Sequence, residues 1–309
     1  MVKTGIEAAI LMRILLVFIA VLTAAPAWSK GSLIIVGGGL SADNEEIYRA
    51  FITRANGGKI AIIPSASGEP QASFDSFAAN LVRHGVDPLR ILQVKIAEAD
   101  DPVTAVDESA WASNGDNVAE IAKIDQADAI WFTGGDQART YRLLTHAGDD
   151  RPMLAAIRKK LAAGAVIGGT SAGAAIMGSG MIVCGDPARA SEPVSRNPSD
   201  CAEEEGRSEP LVLGSGLGFL KGYVVDQHFS QRARLPRLVR AAMCGAGRGI
   251  GIDEDTAIIV DLQTRHAHVF GSGGVSVVVS KRPAPKCDVR SGSFEIAIYR
   301  SGQNFRLRK

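Results

Sequence analysis

Four short runs constrain the architecture most: Leu33-Ile34-Ile35-Val36, Lys59-Ile60-Ala61-Ile62-Ile63, Ile91-Leu92-Gln93-Val94 and Ala129-Ile130-Trp131-Phe132. Each is β-rich, nearly apolar at consecutive positions, and ends near Gly, Pro or Ser. A strand that is apolar on both faces has to be covered on both, as in a parallel sheet sandwiched by helices. The stretches 43–55, 71–83 and 115–123 between them carry helical patterns, with Asp43 placed to cap the first. Together these predict an α/β fold built on a doubly wound, mostly parallel sheet. From about Gly249 the pattern changes to closely spaced strands (GIGID, AIIVD, HAHVF, VSVVVS, FEIAIY), read as antiparallel additions at the C-terminal end. No internal repeat or interdomain linker interrupts the chain, so residues 30–309 are expected to form a single domain.

In such sheets the functional loops gather at the carboxyl ends of the strands. The segments expected there are Gly37-Gly38-Gly39, Pro64-Ser65-Ala66-Ser67, Gly134-Gly135-Asp136-Gln137, Gly168-Gly169-Thr170-Ser171-Ala172-Gly173 and Asp226-Gln227-His228. The fourth has the small-x-Ser-x-small form of a nucleophile elbow. Ala165-Val166-Ile167 before it suits a buried strand, and the small apolar residues from Ala172 to Met177 suit a tightly packed helix. This context puts the Ser171 hydroxyl at the apex of a sharp turn and leaves the Ala172 amide free to face a developing oxyanion. Gly37-Gly38-Gly39 does not complete a dinucleotide fingerprint, because position 42 is Ala; its expected role is a second oxyanion donor, the Gly38 amide.

A serine nucleophile needs a base, usually a histidine oriented by a carboxylate. Of five histidines, His84 and His146 sit at helix ends, and His266 and His268 alternate in a strand. His228 follows the apolar run Tyr223-Val224-Val225 at a strand-to-helix junction, the position the site requires. Arg232, Arg234 and Arg237 follow it closely. Cations at a helix start oppose the helix dipole, so a substrate carboxylate held bidentately is one explanation for them. Pairing with local acids on a basic helix is the other.

Composition bounds the remaining classes. A net charge of +1, with 22% charged residues, gives no reason to expect a nucleic-acid partner. Residues 14–25 (ILLVFIAVLTAA) follow Arg13 and lead into Pro26-Ala27-Trp28-Ser29, which reads as a signal peptide over residues 1–29, with Met12 the more ordinary start. The run is short for a membrane anchor, so export to the periplasm or beyond is expected. Four cysteines in an exported chain suggest two disulfides. Cys184 with Cys201, bracketing a polar loop, and Cys244 with Cys287 are the favoured pairs among three pairings. No Cys-x-x-Cys or His-x-x-x-His spacing offers a metal site, and no cofactor is expected; a homodimer is compatible with the sequence.

The segments IGGTSAGAAIM, FTGGDQ, DQHFSQRARLPRL and GIGIDEDTA, in that order, resemble the serine peptidase family that contains cyanophycinase and peptidase E. The resemblance runs from about Gly31 to Asp261 and is closer to the cyanophycinase branch. It implies a class I glutamine-amidotransferase-like (flavodoxin-like) fold and cleavage of aspartyl peptide links. The implied substrate is an aspartyl-rich peptide or cyanophycin, a poly-aspartate bearing arginine on each β-carboxyl, with β-aspartyl-arginine as product. It also implies Ser171 as nucleophile, His228 as base and Glu254 as orienting acid. Gln137, Asp226, Gln227, Arg232, Arg234 and Arg237 would then line the substrate pocket. In peptidase E the acid follows the nucleophile closely, where this chain has Asp186 or Glu192 within the Cys-bracketed loop. The competing esterase arrangement would use Ser171, Asp253 and His268.

Overall fold

The apolar runs become strands of two sheets. In the computed structural model, which describes residues 31–201, 208–245, 247–282, 287 and 292–308, the first sheet is built on β1 (Ser32–Val36), β2 (Lys59–Ile63), β3 (Ile91–Gln93) and β4 (Ala127–Phe132). The signal peptide read over residues 1–29 lies outside the described residues. A short hairpin, β5 (Thr145–His146) and β6 (Asp149–Asp150), precedes β7 (Val166–Thr170), which inserts between β1 and β4. Strands β1, β7, β4, β2 and β3 run parallel in that spatial order.

The second sheet comprises β8 (Gly178–Cys184), β9 (Val212–Ser215), β10 (Leu220–Asp226), β11 (Arg248–Ile252), β14 (Gly274–Ser280) and β15 (Phe294–Arg300). The remaining strands β12 (Thr256–Asp261), β13 (His266–Gly271) and β16 (Asn304–Arg306) extend the first sheet antiparallel from β1. The antiparallel expectation therefore holds for AIIVD, HAHVF, VSVVVS and FEIAIY. It fails for GIGID: β11 pairs parallel with β10 and antiparallel only with β14. Consecutive apolar residues show that a strand is covered, but not which strand lies beside it.

Side-chain alternation explains how the sheets stack. Leu33 and Ile35 of β1 join the core that also contains Tyr223 and Val225 of β10 and Ile250 and Ile252 of β11. Ile34 and Val36 point the other way, into a core closed by the helices Glu45–Arg54 and Pro70–Arg83 through Ile47, Phe51, Phe77 and Leu81. Val224 faces outward from the second sheet onto Leu238, Ala241 and Ala242 of the helix Leu235–Cys244. Asn44, not Asp43, caps the first helix, accepting from the Ile47 amide at 3.1 Å; the Asp43 carboxylate pairs with Arg83. Cys184–Cys201 and Cys244–Cys287 form the two disulfides. No helix among the described residues is long and apolar enough to cross a membrane.

Candidate active site

The carboxyl ends of β1 and β7 in one sheet meet those of β10 and β11 in the other, and four loops converge there. Ser171 follows β7 at φ 53°, ψ −116°, a conformation that costs a non-glycine residue about 1–3 kcal/mol. Its amide donates to the Val36 carbonyl at 3.2 Å, and its carbonyl accepts from the amides of Ala174 and Ala175. The turn can close because residue 173 is glycine: a Cβ there would stand 2.3 Å from the Phe132 carbonyl oxygen. Ala172 opens the helix Ala172–Ala175, where a first-turn N–H has no intrahelical acceptor.

His228 follows β10, also at positive φ (46°). Its amide donates to the Gly37 carbonyl at 2.5 Å, tying the second sheet's loop to the first sheet's. The imidazole Nε2 lies 2.9 Å from Ser171 Oγ, and Nδ1 lies 2.6 Å from Glu254 Oε1. Burial lowers the His228 pKa from its ordinary 6.5, and the positive charges of Arg232 and Arg234 push the same way; the Glu254 carboxylate opposes them. The side chain is therefore neutral, with Nε2 able to accept the hydroxyl proton, at pH values where an ordinary histidine is already protonated.

Glu254 is the acid the structure brings to His228. Of the alternatives, Asp186 accepts from the Ala188 amide and from Ser208 Oγ, and Glu192 is paired bidentately with Arg189. In the esterase arrangement, His268 instead bonds Asn304 on the neighbouring edge strand at 2.9 Å, while Asp253 accepts from the amides of Ser230 and Gly274. That arrangement is not assembled. Nothing in the residue pattern marked Gln231, whose Oε1 accepts from the Glu254 amide at 3.1 Å and links the acid loop to the histidine loop. Gly134, in the Gly134–Gln137 loop expected at the strand ends, walls the serine on another side: a Cβ there would lie 3.3 Å from Ser171 Cβ.

The residues expected to line a substrate pocket separate into two groups. Arg232 is exposed, and its amide bonds the His228 carbonyl at 3.0 Å. The other five side chains have partners inside the protein. Gln137 Nε2 donates to the carbonyls of Ile182 and Val183 at 2.9 and 2.6 Å. Asp226 receives Nε and Nη2 of Arg237 at 2.8 and 2.6 Å, while Arg234 Nη1 reaches Gln227 O and Oε1, each at 2.7 Å. The physical reason is burial: these four charged or polar side chains lie in the interior, and an unpaired charge there would carry a desolvation cost of several kcal/mol. Burial, with the like charge of Arg237 alongside, lowers the Arg234 pKa to about 10, so the guanidinium remains charged at neutral pH. Among the described residues, Cys184, Cys201 and Glu209 group as metal-ligand types, but the two sulfurs are joined to each other.

A strained serine bonded to a histidine that is itself bonded to a carboxylate, set at the strand ends of a flavodoxin-like α/β fold, defines a serine-type peptidase. The chain belongs to peptidase family S51, whose model matches residues 33–267. It is 34% identical over 255 residues to a cyanophycinase of Geminocystis herdmanii, covering 81% of this chain and 80% of that one. It is 32% identical over 259 residues to a cyanophycinase of Trichormus variabilis, covering 82% and 75%. Among solved structures, a peptidase from an acI-B1 actinobacterium superposes with a TM-score of 0.61 at 19% identity, over 91% of this chain and 98% of that one, a likeness of fold.

Proposed function

We propose that the protein is an exported serine peptidase that hydrolyses aspartyl peptide bonds, with cyanophycin as substrate and β-aspartyl-arginine as product. The observation that carries this reading is the continuous hydrogen-bonded chain Ser171–His228–Glu254 in a protein about one-third identical, over most of its length, to cyanophycinases. In the reaction, Ser171 Oγ attacks the carbonyl carbon on the aspartyl side while His228 Nε2 takes its proton. Glu254 holds the imidazole with Nδ1 protonated and stabilises the resulting imidazolium. The amides of Ala172 and Gly38 receive the oxyanion. As the C–N bond breaks, His228 returns the proton to the leaving amine. Water, activated by the same nitrogen, then hydrolyses the acyl-enzyme and restores Ser171.

The exposed Arg232, four residues past His228, is the guanidinium we assign to a substrate carboxylate, because a planar fork matches that group bidentately. Two disulfides support passage through an oxidising compartment, consistent with removal of residues 1–29. The test is incubation of the purified mature protein and its Ser171→Ala variant with cyanophycin and, separately, with α- and β-aspartyl dipeptides. Release of β-aspartyl-arginine by the parent alone is expected. Hydrolysis of dipeptides but not the polymer would move the substrate to small peptides. An active Ser171→Ala variant would refute the serine mechanism, and a parent that neither hydrolyses these substrates nor reacts with a fluorophosphonate would be a binding protein.

A further inference from the structure

His228 holds a positive-φ backbone conformation, uncommon for a residue with a side chain, and its surroundings fix it there. The enforcement comes from the two residues before it. The Gln227 amide donates to Asp226 Oδ1 at 3.0 Å, and the Gln227 carbonyl, which belongs to the peptide entering His228, accepts from Arg234 Nη1 at 2.7 Å. Arg237 grips the Asp226 carboxylate through Nε and Nη2 and donates Nη1 to the Gly185 carbonyl at 2.8 Å. Each of its three nitrogens therefore has an acceptor inside the protein. Asp226, Gln227, Arg234 and Arg237 are 1%, 6%, 9% and 6% exposed, which leaves little of them for a substrate to touch.

Helix stability does not account for the two arginines, since Arg234 caps and Arg237 enters the first turn of the helix Leu235–Cys244, where the dipole disfavours cations. We propose that Asp226, Arg234 and Arg237 are positioning residues that clamp the 226–227 segment and so hold the His228 imidazole at Ser171. The clamp rests on the reading of Ser171 and His228 as nucleophile and base. It assigns to these three residues a role different from substrate contact. Loosening it lets the His228 backbone relax and moves Nε2 away from the 2.9 Å contact with Ser171 Oγ.

The test compares Arg237→Lys, Arg234→Lys and Asp226→Asn with the parent on cyanophycin, and measures the rate of labelling by a fluorophosphonate, which carries no carboxylate. The clamp predicts a kcat lowered roughly ten- to a hundredfold, a KM changed by less than about twofold, and labelling slowed in parallel with kcat. A raised KM with unchanged kcat and unchanged labelling would overturn it in favour of substrate contact, and no change in any of the three in folded variants would overturn it outright. If the charge variants do not fold, Gln227→Met, which removes one acceptor of Arg234 at nearly the same shape, is expected to lower kcat and labelling together without raising KM; unaltered rates in it would reject the clamp. Ser171→Ala runs alongside. Activity in that variant would remove the underlying reading, whereas an inactive Ser171→Ala beside fully active arginine variants would remove the clamp alone.

Discussion

Gly38 lies against the imidazole of His228: a Cβ on Gly38 would stand 2.4 Å from Nε2, the ring nitrogen that faces Ser171. The backbone there is also left-handed, at φ 95°. Gly38→Ala is therefore expected to displace the ring and lower kcat by on the order of a hundredfold, the scale of an ångström misplacement in a reacting pair. Steady-state rates beside a thermal melt would check it; unaltered kcat in a folded variant would mean that the ring has room.

Ser171 occupies a backbone region that favours glycine. Ser171→Ala is expected to abolish hydrolysis with little change in Tm, because it keeps the strained backbone and removes only the hydroxyl. Ser171→Gly, equally inactive, is expected to be more stable by about 1 kcal/mol, the relieved strain being partly offset by glycine's greater freedom when unfolded. Urea unfolding of the three proteins decides this, and a glycine variant less stable than the alanine one would contradict it.

The pH dependence follows from the surroundings of His228. Its pKa lies below the ordinary 6.5, first through burial and then through Arg232 and Arg234, so the base stays neutral and active as pH falls through 6.5. The acid limb of kcat/KM is expected below that value. Arg232→Ala removes one of the charges that disfavour protonation and is expected to shift the limb upward. A limb that moves down in the variant would reverse the assigned electrostatics.

His228→Ala is expected to be as inactive as Ser171→Ala, since nucleophile and base act as a unit and their losses do not add. His268→Ala is expected to retain parental turnover, because that ring bonds Asn304 at the sheet edge. Paired rate measurements on the two histidine variants would expose any exchange of roles.

The Cys184–Cys201 bridge spans 17 residues of sequence beside the Gly185 carbonyl that receives Arg237. Replacing both cysteines by serine is expected to cost about 3 kcal/mol of stability, the loop-closure value for a loop of that size. Chemical denaturation of the parent and the variant without reductant would measure it, and coincident curves would show that the loop is held by its other contacts.

The strand cores and the elbow were legible because they are local. Consecutive apolar residues at 33–36, 60–63 and 129–132 have few ways to be buried, and Gly169, Ser171 and Gly173 leave little choice of turn. His228 was legible by position at a strand end and Glu254 only through family resemblance, since they come from the second sheet and 26 residues separate them in sequence. The arginines were the least legible. Composition and spacing reveal a cluster of charge beside the histidine but not which way each side chain turns. The sequence by itself determined the covered parallel strands, the serine turn and the supply of histidine, carboxylate and cysteine. Only the tertiary structure decided that β10 and β11 form a separate sheet, that Glu254 is the acid reaching His228, and that Arg234 and Arg237 turn inward to Gln227 and Asp226. The reason is physical: hydrophobic patterning fixes which faces are buried, whereas the pairing of distant charges depends on which loops the packed sheets bring within hydrogen-bond reach.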